Sequence, residues 1–204
     1  MARAPINPGE VDWSGENPGM YLKHGGQGAF VTLISFFRVI KSPKGRGHAC
    51  FILQDPAGDG KDAARPNLCI TDNEPLAEYL RDGFVARFGA FKDAGGLKKC
   101  RLVPGWDFMP GGDGNTSHVE WFRSGIGQVQ LTWRELGDTY MVEFGKERSA
   151  TGAHEMFSLF VDAHAIDVSI NGRGVAGTPF RRDFAGKTDS SSAFLAFSET
   201  WVKA

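Results

Sequence analysis

The sequence predicts a single, mostly β domain with one amphipathic helix. Three observations carry that expectation. Between His118 and Val202, apolar and polar residues alternate with the period of a strand in one run after another. The 204 residues include 16 Phe and 27 Gly, the profile of aromatic strands joined by tight turns rather than of a helical bundle. Only one stretch, near 74–88, repeats its apolar residues at helical spacing. At about 150 residues per domain this length gives one domain. A chain of this size buries roughly 70% of its unfolded surface and needs no disulfide or metal to hold it.

In chain order, residues 1–28 read as an N-terminal arm. Asn7-Pro8-Gly9 and Asn17-Pro18-Gly19 each carry the chemistry of a type II turn, and Trp13 and Tyr21 are placed to pin the arm to the body. The run 29–40 shows neither clean alternation nor a helical stripe, but its β-branched and aromatic content favours a strand buried on both faces. His48–Leu53 and Asn67–Ile70 are further apolar runs. Asn73-Glu74-Pro75 then supplies a cap and an early proline for a helix whose face is Leu76, Tyr79, Leu80, Phe84 and Phe88, with Gly83 as a point where it ends or bends. Residues 92–117, rich in Gly and Pro around Trp106, Phe108 and Met109, read as a long ordered lid-like loop.

The strands after His118 are the plainest. Val129, Leu131 and Trp133 alternate with polar residues, and Tyr140, Val142 and Phe144 alternate after an expected turn at Gly137-Asp138. Phe157, Leu159 and Val161 lead to an expected tight turn at Asp162-Ala163, then to His164, Ile166, Val168 and Ile170, with a strong turn signal at Asn171-Gly172. Ala193–Val202 is the last strand. Successive strands with short turns predict an antiparallel meander of roughly eight or nine strands. Closure removes exposed edges, so the preferred form is a barrel of the lipocalin or calycin type, with a two-sheet β-sandwich as the alternative. The likeness is architectural. Lipocalins carry Gly-x-Trp near the first strand, and the early tryptophan here stands in Val11-Asp12-Trp13-Ser14.

With 23 basic and 24 acidic side chains the chain lacks the cationic surface on which nucleic-acid binding rests. No apolar run reaches the ~20 residues of a membrane helix. The start has no signal-peptide pattern, and Cys50, Cys69 and Cys100 are an odd count without CxxC, so a cytoplasmic location is expected. No cofactor or metal is called for. The calcium-like run beginning at Asp113 has His118 where the loop's sixth-position glycine belongs and Ser124 where its final glutamate belongs.

Candidate site residues follow from strand parity. His118 and Glu120 share a face, as a general acid/base pair requires, although such residues also solvate exposed strands. His164 heads the face of Ile166, Val168 and Ile170, so it is expected to point inward, either as a ligand's polar anchor or as a core histidine. His154 is expected in solvent. His48 and Cys50 share a face roughly 6.6 Å apart, too far for a ready Cys–His dyad. Arg181-Arg182 reads as solvated surface.

Trp133, Tyr140, His164, Trp201 and Trp106 are the candidate ligand-binding residues. The leading expectation is a protein that binds a small apolar molecule in the barrel interior. One alternative is a cofactor-independent isomerase or lyase using His118, Glu120 or His164. The other is a homo-oligomeric structural or interaction protein.

Overall fold

A computed structural model describes residues 9–204. The chain is mostly β. Its strands are β1 (Glu10–Glu16), β2 (Gly19–His24), β3 (Gln27–Lys41), β4 (Gly47–Leu53), β5 (Asn67–Thr71), β6 (Arg101–Gly112), β7 (Ser117–Ser124), β8 (Gly127–Phe144) and β9 (His154–Ile170), followed by β10 (Arg173–Gly174), β11 (Arg181–Phe184), β12 (Lys187–Ser191) and β13 (Ala193–Lys203). One helix, α1 (Glu74–Gly83), lies between β5 and β6. Asn73 caps it by accepting the amide of Leu76 at 3.1 Å. The helix stops at Gly83, and a single 3-10 turn, Val85–Arg87, carries the chain on. No helix among the described residues is long and apolar enough to cross a membrane.

Pairing closes a ring of nine strands. The order runs β13–β2–β3–β4–β5–β6–β7–β8–β9, and β9 pairs again with β13. β1 lies across the seam, pairing with both β13 and β3. The meander expected to be antiparallel throughout has one parallel step, β5 to β6, where α1 and the turns after it carry the chain across.

Every ring strand sends side chains inward. Met20, Ile34, Cys50, Ile70, Val103, Phe122, Leu131, Ala163 and Leu195 belong to one fully enclosed cluster, so the inside of the ring is a packed core. A second apolar cluster lies outside the ring. There α1 lays Leu76, Ala77 and Leu80 over the outer faces of β3–β5, and Trp13, Phe84 and Trp201 join them. Trp13 meets Phe37 and Phe84 edge-on and stacks on Trp201.

Several expected boundaries change. Of the 1–28 arm, residues 1–8, with them most of Asn7-Pro8-Gly9, lie outside the described residues, and 10–24 form β1 and β2. Gly19 is no type II turn glycine. It opens β2 at an ordinary φ, and its lack of a side chain lets the Phe194 ring approach, since a Cβ there would stand 2.6 Å from Phe194 Cζ. The lid-like loop 92–117 is largely β6. That strand pairs with β5 over 101–104 and with β7 over 105–112, so one edge of its second half pairs with no strand among the described residues, the edge setting in which a strand tolerates Pro110.

The turns expected at Gly137-Asp138 and Asp162-Ala163 are instead bends within β8 and β9. A register shift between Leu136 and Thr139, with Glu135 at φ +54°, bends the pair without ending it. Asn171-Gly172 is the expected two-residue turn, both residues at positive φ.

Candidate functional site

Three polar constellations stand out. The first closes one end of the ring. Arg38 on β3 faces His48 on β4, and its Nη1 donates to His48 Nε2 at 2.9 Å. A guanidinium only donates, so Nε2 accepts and the proton sits on Nδ1, which donates to Asp72 at 2.7 Å. Arg38 Nη2 donates to Oε2 of the fully buried Glu120, whose other oxygen takes His118 Nε2–H at 3.1 Å. Arg38 Nε lies 3.4 Å from Glu16 without making a hydrogen bond. Phe108 stacks between His48, at 4.4 Å, and Phe122, at 4.8 Å.

The His118–Glu120 pair read from strand parity is therefore formed, and Arg38 and His48 complete it from strands the sequence gives no reason to associate. Three of the four histidine nitrogens are occupied, which makes the cluster a self-satisfied plug. An open hollow of about 720 Å3 above Arg38, His48 and Asp72 offers charges that are already paired. Cys50 lies beneath, and its thiol is pushed well up, first by burial and then by the Glu120 charge. That leaves no thiolate for a nucleophile.

The second constellation corrects His154. Its side chain is 12% exposed rather than solvated. Nε2 bonds Asp12 at 2.8 Å and Nδ1 bonds the Thr151 hydroxyl at 2.9 Å. Asp12 sits at the irregularity between Val11 and Trp13, where β1 turns two successive side chains inward. Burial, then the neighbouring Asp12, pushes the Tyr79 phenol up, although the two do not reach hydrogen-bond geometry. This chain ties β1 to the turn before β9.

The third is a pocket outside the ring, between β2, β9, β13, the β11–β12 hairpin and residues 88–90. It is a half-open pocket of about 380 Å3. Its walls are Tyr21, Phe30, Phe88, Phe144, Met156, Phe160, Phe180, Phe184, Phe194 and Trp201. Its polar groups are Asn17, Lys23, Arg182 and Glu199.

Arg182 donates Nε–H to Ser191 O at 3.1 Å, and its guanidinium lies over Phe184, Phe194 and Tyr21 at 4.7, 5.0 and 5.3 Å. Burial pulls the Arg182 pKa down, while Tyr21, Tyr140 and Asp162 pull it back up. Glu199 is 3% exposed, and its Oε1 accepts from Trp201 Nε1 at 2.7 Å and from Asn17 Nδ2 at 3.4 Å. Burial pushes its carboxyl up to about 7 against those two bonds. The Tyr21 phenol is raised to about 12, mainly by burial.

Of the sequence-predicted ligand residues, Trp201 lines this pocket. Tyr140 stands behind it, 6.0 Å from the Phe160 ring, with its hydroxyl on Asp162 and Ser190. Trp133 is buried inside the ring, donating to Gly19 O at 3.1 Å. Trp106 is 45% exposed on β6. His164 is exposed, because β9 changes phase between Ala163 and Ile166, both of which pack inside the ring. It meets neither His118 nor Glu120.

Sequence reading missed Arg182 and Glu199. The one available signal was Arg182 and Phe184 two residues apart on one strand face. Asp113 is turned on its own loop, accepting the amides of Asn115, Thr116 and Ser117, and the Thr116 hydroxyl above all holds its carboxyl far below the usual range. Comparison with models of known protein families, with curated proteins and with solved structures gives no match.

Proposed function

We propose that the protein is a cytoplasmic binding protein whose nine-stranded ring is a small, filled barrel of calycin-like form, and that it holds a small, mainly apolar molecule on the outer face of that barrel. One observation carries the reading: a half-open pocket of about 380 Å3 walled by aromatic rings, with a guanidinium and a buried carboxyl in its lining. Pockets of this volume and lining are those that take small ligands. The ligand does not enter the barrel, whose inward side chains are almost all fully buried. An acid/base enzyme built on His118 and His164 has less support, since His164 is exposed and Glu120 already holds His118.

The test is titration with the uncharged fluorophore N-phenyl-1-naphthylamine. Saturable enhancement is expected in the native protein, and its loss in Ala150→Trp, which places an indole at the pocket rim. No saturable binding, or equal binding by the variant, removes the reading.

A homo-oligomer is favoured by one separate feature. Trp106 and Met109 are 45% and 53% exposed on the half of β6 whose second edge pairs with no strand among the described residues. Native mass spectrometry is expected to show a dimer that Trp106→Lys converts to monomer; a strict monomer in the native protein sinks that reading.

A further inference from the structure

We propose that the molecule held in this pocket is an amphipathic monocarboxylic acid, its carboxylate docked on the fork of Arg182 and its apolar body lying against the phenylalanine walls. The inference rests on the binding reading above and adds the chemical class of the ligand.

Its starting point is an arginine without a counter-ion. Among the described residues no carboxylate oxygen lies within salt-bridge distance of Arg182, whereas Arg38 has two such partners and Arg81, Arg123 and Arg181 one each. Asp162, close enough for its charge to be felt, gives its own oxygens to Lys187, Ser190 and Tyr140. Among the described residues the Arg182 side chain makes one hydrogen bond, from Nε, and neither terminal nitrogen has an acceptor there. Those nitrogens reach solvent, so an acceptor on a ligand has only water to displace there.

The surroundings decide what that acceptor is. Three aromatic rings pack against the guanidinium and fix its plane, which presents its terminal N–H groups as a pre-set fork. A planar fork matches a carboxylate with two parallel, charge-assisted hydrogen bonds. The charge balance of the pocket favours a single negative charge. Lys23, its second cation, is drawn over Phe30 and Phe180 at 5.0 and 4.5 Å, and the buried Glu199 opposes a dianion. The volume, at the small end of the range for drug-sized ligands, suits an aryl-alkyl or medium-chain acid.

Isothermal titration of the native protein with 4-phenylbutyrate, its methyl ester and 4-phenylbutylamine tests this. The acid is expected to bind on the order of tenfold or more tighter than the ester, the worth of a charge-assisted pair, and the amine more weakly than either. Arg182→Gln is expected to bring the acid-to-ester affinity ratio close to one, and Arg182→Lys to recover only part of it. Equal affinities for acid and ester in the native protein overturn the ligand class, and so does a failure of all three to bind, while saturable naphthylamine binding leaves the pocket reading standing. Failure of the naphthylamine removes both. Should Arg182→Gln not fold, the comparison of acid, ester and amine on the native protein decides alone.

Discussion

Replacing Arg38 with methionine is expected to destabilise the protein by about 3–5 kcal/mol, the usual cost of stranding one partner of a buried ion pair. Glu120 has no exposed surface, and among the described residues Arg38 is its only cationic partner besides a histidine. Losing the guanidinium leaves Oε2 without a donor and also frees His48 Nε2. For a chain of this length that loss lowers Tm by roughly 10 °C. The double variant Arg38→Met, Glu120→Leu is expected to regain most of the loss, because two apolar side chains replace a desolvated pair at little net cost. Urea unfolding of the three proteins checks this. A single variant within about 1 kcal/mol of the native protein, the range of a surface ion pair, would mean the network is solvated after all.

Glu199 gives the second large effect, and it depends on pH. Burial raises its carboxyl from 4.5 to about 7 in the folded protein, so folding favours the protonated form. Full stability is therefore present below pH 4.5 and is lost as pH rises toward 7. Above that the folded chain carries the whole penalty of a buried, unpaired carboxylate, on the order of 3 kcal/mol. Glu199→Gln keeps an acceptor for Trp201 and Asn17 and removes the charge. It is expected to be more stable than the native protein at pH 8, by an amount that shrinks toward zero near pH 4.5. Chemical denaturation at both pH values gives the answer, and a difference independent of pH would show that Glu199 does not titrate in this range.

The parts of this fold that sequence makes legible are those whose cause is local. The helix after Asn73 announces itself through its cap and apolar stripe, and Asn171-Gly172 through the two positive φ angles that its turn needs. β1 and β2 hide because their alternation is lost. β2 is buried from Gly19 to Leu22 on both faces, and β1 has an extra residue at Asp12. β6 hides behind prolines and glycines that a strand tolerates where, as here among the described residues, each half of it has a single neighbour. His118 and Glu120, two residues apart, could be paired from parity, but Arg38 reaches Glu120 across 82 positions. The pocket is more distant still from any local pattern: Tyr21, Phe160, Arg182 and Glu199 share a wall only because the ring closes, and Arg182 beside Arg181 looks like ordinary surface until it does.

β13 touches β1, β2 and β9 at once, and its register joins Ala193 to Met20 and to Ala163. A chain built this way has a high contact order. Nearly its whole length must be collected before one strand can supply the missing wall of two cores, and the loop entropy of that closure is met before most of the burial is gained. Such a protein folds over milliseconds to seconds, and every intermediate that precedes the docking of β13 carries the bare edges of β2 and β9. Those edges are where such a chain, while still being synthesised, is most open to pairing with a second copy of itself or to a chaperone's grip.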